Sequence, residues 1–211
     1  MNAARQLARY LLQIKAIKLE PEEPFTWASG WKSPIYCDNR LALSYPEIRT
    51  FIKERFAEKA GRFEPFDLVA GVATAGIPHG VLLADRLEKP FVYVRSKPKA
   101  HGRQNQIEGL LEPGQRVLVI EDLISTGGSV LKAVEALRDA GAQIAGVLAI
   151  FTYGFAQAEE AFARAGVAWG TLTDYPTLLE EAVAAHYLDE RWLATLESWR
   201  KDPARWMQSV G

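Results

Sequence analysis

Short runs of wholly apolar residues, each closed by a turn of small residues and followed by a stretch with helical spacing, recur through the middle of this chain. Residues 66–72 precede a helical pattern at 77–87, a further run occupies 91–94, residues 117–120 precede 129–140, and residues 144–151 precede 157–165. A strand made only of apolar residues has both faces covered, and covering several such strands calls for a parallel sheet with helices on either side. The sequence therefore predicts an α/β fold with a central parallel sheet. In such sheets ligands lie beyond the carboxyl ends of the strands, so the turns that follow the apolar runs are where chemistry is to be sought.

The flanking segments differ in kind. Leu7, Leu11 and Ile14 share one face of an amphipathic first helix. The basic start of the chain carries no acid before Glu20, but it lacks the serines of a transit peptide. Residues 25–40, with Ser29-Gly30 and Ser33-Pro34 as turn signals, predict a strand pair or an irregular loop. Pro46 then opens a helix bearing Ile48, Phe51, Ile52 and Phe56 at helical spacing. In the tail, Trp192, Trp199 and Trp206 fall at seven-residue intervals, yet Pro203 breaks any helix running through all three. Packing against the core or a partner accounts for that stripe.

Charge and cysteine usage narrow the function. Lys and Arg number 25 against 26 Asp and Glu, a net charge of −1, which provides no overall field for a nucleic acid backbone or an anionic membrane. Anion binding must be local. The single cysteine, Cys37, forms no internal disulfide and belongs to no metal-spaced cluster, which suits a reducing cytoplasm and an inert buried thiol. The apolar stretch at 144–156 is too short and too interrupted to span a bilayer.

Three segments carry chemistry. In the first, Glu121 and Asp122 end an apolar run, and Leu123, Ile124, Ser125, Thr126, Gly127, Gly128 and Ser129 lead into a helix. Free N–H groups and the positive end of that helix suit a phosphate, glycine lets the backbone approach, and the hydroxyls add donors. The two carboxylates suit ribose hydroxyls, a magnesium ion or positive charge developing on a sugar. No lysine follows the glycines, so this is no Walker loop, and the spacing of a dinucleotide fingerprint is missing. The second segment, Ala73, Thr74, Ala75 and Gly76 ahead of Pro78, forms another strand-to-helix turn and a second anion cradle. The third runs from Lys89 to Ile107 without an acid. Arg95, Lys97, Lys99, His101 and Arg103 recur at a spacing of two, as in a cationic lid that closes over a leaving pyrophosphate and excludes water.

Residues 117–129 resemble the phosphoribosyl pyrophosphate signature of type I phosphoribosyltransferases, and 71–78 resembles the pyrophosphate loop of that family, with Ala75 where many members carry lysine. Residues 93–102 together with 25–40 resemble the orotate phosphoribosyltransferases, and the likeness extends from the first helix to Asp174. The resemblance implies a single domain over 1–211, with helices and a hood at 1–62, an α/β core at 63–175 and a helical tail at 176–211. It implies transfer of a phosphoribosyl group to orotate, magnesium bound mainly through phosphoribosyl pyrophosphate, and a homodimer with shared active sites. Lys99, His101 and Asp122 correspond to catalytic positions. Arg95, Lys97, Glu121 and the residues of both cradles correspond to substrate-binding positions, as do Lys32, Tyr36 and Tyr153 around the base. Ser96 and Ala28 stand where relatives have lysine, and Tyr153 where some have arginine, so backbone N–H groups, Lys32 or Ser125 would hold orotate instead. A purine phosphoribosyltransferase and a non-catalytic sensor of phosphoribosyl pyrophosphate are the rival readings.

Overall fold

The computed structural model describes residues 2–27, 29–97 and 106–206. In chain order the elements are α1 (Ala3–Gln13), β1 (Ile17–Leu19), β2 (Phe25–Thr26), β3 (Lys32–Ser33), β4 (Ile35–Cys37), α2 (Pro46–Ala60), β5 (Leu68–Val72), α3 (Gly76–Leu87), β6 (Phe91–Val94) and β7 (Ile107–Glu108). They continue with β8 (Arg116–Ile124), α4 (Gly128–Asp139), β9 (Gln143–Thr152), α5 (Ala156–Ala165), β10 (Trp169–Asp174), α6 (Tyr175–Ala184) and α7 (Leu193–Lys201).

Six strands form the central sheet in the order β10-β9-β8-β5-β6-β7, and all neighbours are parallel except the β6–β7 edge pair. The apolar runs are buried on both faces, as their composition requires. Alternate residues of one strand feed two cores. Leu118 and Ile120 join α1, α2, α3, α6 and α7 on one face, while Val117 and Val119 join α4 and α5 on the other. Leu7 and Leu11 of α1 are fully buried, and Ile14, at the helix end, packs partly buried against the same core. Glu181 of α6 is buried between Arg5 and Arg9 of α1, so its charge is matched where water cannot reach it.

Several elements differ from the sequence expectation. Strand β8 does not stop at Ile120 but runs to Ile124, because β9 extends to Thr152 and pairs with Leu123 and Ile124. Strand β10 and helix α6 have no counterpart in the pattern of apolar runs. Gly170, Thr171 and Thr173 make β10 read as polar, although it is an edge strand whose side chains need cover on only part of their surface. A short edge strand, β7, follows the basic segment. The chain turns back, and Ile107 and Glu108 pair antiparallel with Val94 and Tyr93. Helix α7 ends at Lys201, ahead of Pro203, as proline chemistry demands.

The hood comprises two small antiparallel ribbons, β1–β4 and β2–β3, set apart from the central sheet. Two-stranded ribbons are marginal alone, so the hood depends on what it packs against. Trp27 supplies much of that contact, with its ring against Tyr153 at 5.2 Å and Trp199 at 5.6 Å, and its Nε1 donating to the carbonyl of Ile35 at 3.2 Å.

Candidate active site

Two helices open at the carboxyl ends of neighbouring strands. Helix α3 follows β5 and α4 follows β8, and neither has a side chain capping its first turn. Their leading N–H groups are therefore available to an anion, and each helix dipole favours negative charge there. Gly127 has φ +82, a left-handed conformation that glycine adopts without strain, and a Cβ on it would press on the Phe162 ring at 3.1 Å. Gly128 and Ser129 are exposed at the mouth of α4, with Ser125 and Thr126 half-buried beside them. A Cβ on Gly76 would collide with the main-chain carbonyl oxygen of Ile120, so the start of α3 lies directly against the end of β8. The two cradles are thus adjacent, with Ala73 and Ala75 half-buried and Thr74 exposed.

Glu121 and Asp122 lie between the cradles inside the extended end of β8, and successive strand residues face opposite ways. Glu121 is buried, with its own Oε1 accepting the Asp122 N–H at 2.9 Å. Asp122 lies on the hood side, within electrostatic reach of Arg40, Cys37 and Tyr153. Burial raises the pKa of both carboxyls, and the Asp122 charge raises that of Glu121 further, so the pair resists carrying two negative charges. Positive charge developing nearby would relieve that strain. Of the two carboxylates, Glu121 is buried and Asp122 half-buried, so the residue expected to be catalytic is the more accessible of the pair.

On the hood side a cavity of about 310 Å³ is lined by Thr26, Trp27, Tyr36, Cys37, Leu123, Ser125 and Tyr153. Tyr153 is 2% exposed and Tyr36, on Phe25, is 40% exposed at the rim. Lys32 is exposed and donates to Thr26 Oγ1 at 2.8 Å, which brings its ammonium to the edge of this cavity without lining it. Cys37 is half-buried and lines the cavity, not the fully buried thiol expected; burial and the nearby Asp122 raise its pKa and keep it protonated. Ser125 joins the two halves of the site, since it belongs to the turn ahead of α4 and also lines this cavity.

A second cavity, about 370 Å³, opens between the cradles and the root of the basic segment, with Ala73, Arg95, Ser96, Ser129 and Lys132 in its wall. Arg95 Nη1 is 3.7 Å from Glu108, its N–H donates to the Gln106 carbonyl at 2.8 Å, and Gln106 Nε2 donates back to the Arg95 carbonyl. Lys97 is exposed. Lys99, His101 and Arg103, as well as Ala28, lie outside the described residues. The sequence reading missed Lys132, which stands one turn after Gly128 on the same helix face and could have been found by that spacing. It also passed over Thr26, Trp27, Cys37 and Asn39 as site residues, because their roles depend on how the hood folds over β8.

Residues 40–170, which include both cradles, match the phosphoribosyl transferase domain family. The chain is a phosphoribosyltransferase by family and by fold. Orotate phosphoribosyltransferase of Bacteroides thetaiotaomicron is 57% identical over 206 residues, 97% of either chain, and that of Listeria monocytogenes is 54% identical over 98% of this chain and 99% of its own. The crystal structure of orotate phosphoribosyltransferase from Aeropyrum pernix, 33% identical, aligns with a TM-score of 0.76 over 87% of this chain and 99% of that one. The chain belongs to the orotate phosphoribosyltransferase family.

Proposed function

We propose that this protein transfers the phosphoribosyl group of phosphoribosyl pyrophosphate to a ring nitrogen of orotate, giving orotidine monophosphate and pyrophosphate. The arrangement that carries this reading is the pair of uncapped helix starts, α3 and α4, side by side at the ends of β5 and β8, with Asp122 between them and the base cavity beside it. The α4 cradle takes the 5′-phosphate and the α3 cradle the pyrophosphate. The anionic base supplies the electron pair for the new nitrogen–carbon bond while the bond from the sugar to pyrophosphate breaks, its electrons leaving on the pyrophosphate oxygen. No side-chain nucleophile is needed. Catalysis rests on positioning and charge: Asp122 with Glu121 behind it stabilises an oxocarbenium-like sugar, and Arg95, Lys97 and Lys132 neutralise the departing anion. Lys99 and His101 complete the lid in this reading.

Among the described residues no group of three or more His, Cys, Asp or Glu is gathered for a metal. The half-buried Asp122 carboxyl, disfavoured as an anion, is nevertheless suited to a cation that arrives with the substrate. Magnesium would then be carried mainly by phosphoribosyl pyrophosphate, and when bound it neutralises phosphate charge. Chelation is expected to abolish turnover and added magnesium to restore it. The exposed apolar side chains Leu41, Tyr45 and Val81 support a homodimer in which the lid of one protomer serves the other's site. One domain from the hood through the tail, working in a reducing cytoplasm, fits the lone Cys37. Among the described residues no helix is long and apolar enough to cross a membrane.

The test is direct. Orotate absorbance should fall when the protein is mixed with orotate, magnesium and phosphoribosyl pyrophosphate. Turnover of adenine or hypoxanthine without orotate consumption would reassign the base, and sugar binding without turnover of any base would make the protein a sensor.

A further inference from the structure

The base cavity and the ribose carboxylates belong to different parts of the fold. Tyr36 and Cys37 sit on β4, which pairs only with β1, whereas Asp122 sits on β8 of the central sheet. No sheet ladder therefore sets the distance from the base shelf to the ribose site. Asn39 spans the gap. It follows β4 by two residues, is fully buried, and its Nδ2 donates to the main-chain carbonyl of Asp122 at 2.8 Å. The reverse amide orientation would oppose two carbonyl oxygens, so chemistry fixes which end meets Asp122.

One detail separates this contact from ordinary packing. Asn39 Oδ1 is buried and, among the described residues, has no hydrogen-bond partner. Buried polar atoms are rarely left so, and a leucine of similar size would occupy the space without an orphaned oxygen. The amide is retained for its donor end.

We infer that Asn39 is a positioning residue that locks the Tyr36–Cys37 shelf in register with Asp122, so that the base nitrogen meets the sugar carbon in line. This rests on the reading of the site as one for phosphoribosyl transfer. Displacing one reactant by about an ångström can cost on the order of 100-fold in rate. Each substrate still finds its own subsite when the register slips, so the loss falls on kcat.

The experiment compares the parent with Asn39→Leu and Asn39→Ala, each first shown to be folded by a cooperative thermal transition. Affinity for phosphoribosyl pyrophosphate with magnesium is measured by calorimetry, and kcat and both KM values by orotate depletion. The expected result is a fall in kcat on the order of 10- to 100-fold with sugar affinity unchanged. Parental kcat in either folded variant overturns the inference, as does a loss confined to KM. If neither variant folds, Asn39 is a structural residue and the inference is equally overturned. An inactive parent would instead sink the reading of the site itself, which keeps the two failures distinct.

Discussion

Trp199 of α7 donates its indole N–H to the main-chain carbonyl of Lys32 in the hood, 3.2 Å away and 167 residues distant in sequence. The ring is fully buried at the centre of an aromatic cluster, 5.5 Å from Tyr153, 5.3 Å from Phe155, 5.5 Å from Tyr175 and 5.6 Å from Trp27. Tyr153 and Trp27 both line the base cavity. The tail therefore packs behind two residues of the cavity wall, and a marginal two-stranded ribbon gains rigidity from a helix far along the chain.

Trp199→Ala should consequently affect both stability and orotate binding. Removing a buried tryptophan costs about 3–5 kcal/mol, and the hood should loosen before the sheet does. Trp199→Phe keeps most of the ring but loses the hydrogen bond, at about 1 kcal/mol. Denaturant melts measure the first effect and the KM for orotate the second. An unchanged KM in a destabilised Trp199→Ala protein would disconnect the tail from the site.

The same contact marks how far the sequence can be read. The cradles were legible because they are local: an apolar run, small residues and a helix start announce a phosphate turn without knowledge of the rest of the chain. Glu121 and Asp122 were found for the same reason, but the difference in their burial was not. It depends on β8 running four residues past Ile120, which only the length of β9 dictates. The Trp192, Trp199 and Trp206 spacing suggested bland packing, and Trp199 does pack, with partners on the hood, in the turn between β9 and α5 and at the start of α6. Likewise Lys132 and Asn39 look like ordinary helix and turn residues until the elements around them are assembled.

The carboxylate pair should make the empty protein sensitive to alkali. Burial beside Asp122 lifts the Glu121 pKa well above its unfolded value, so the native state holds this proton more tightly than the unfolded chain. The stability linked to it is complete below the unfolded pKa near 4.5 and is lost as pH rises toward the native value. Glu121→Gln carries no such loss. The difference in Tm, variant minus parent, should therefore grow from pH 4 to pH 9 in the absence of substrate. A constant difference would contradict the assignment.

His79 should give the opposite dependence. It is 1% exposed on α3, both ring nitrogens lack partners among the described residues, and burial alone lowers its pKa to about 4. Below pH 6.5 the unfolded chain takes a proton that the native histidine refuses, so stability falls as pH drops through this window. The full loss is about 3 kcal/mol. His79→Leu should flatten the decline in Tm between pH 7 and pH 4 and leave neutral-pH stability close to the parent's. An equally steep decline in that variant would place the acid sensitivity elsewhere.

Gly76 tests the close approach of the two cradles. A Cβ there meets the Ile120 main-chain carbonyl and comes within 3.3 Å of the Glu121 Cα, both backbone atoms that cannot move aside without shifting β8. Gly76→Ala should therefore destabilise the fold by about 1–3 kcal/mol and lower activity more than stability suggests, because the displaced atoms carry Glu121 and Asp122. Gly114→Ala serves as the control, since nothing lies within 4 Å of its Cβ and only its φ of +89 is unfavourable. Comparable loss of activity in both variants would show that the tight contact at Gly76 is without catalytic consequence.

Arg95 and Lys132 approach the second cavity from different elements, one at the root of the basic segment and one a turn into α4. The turn at 73–76 carries no cation of its own, so on the proposed reading these two side chains supply the positive charge that its backbone amides lack. Charge of this kind acts on an anion bound in a water-poor cleft and weakens with salt. Lys132→Ala and Arg95→Ala should each raise the KM for phosphoribosyl pyrophosphate and weaken product inhibition by pyrophosphate, with little effect on the KM for orotate. The double variant should show a flatter dependence of kcat/KM on ionic strength than the parent; an unchanged salt profile would remove both cations from the pyrophosphate site.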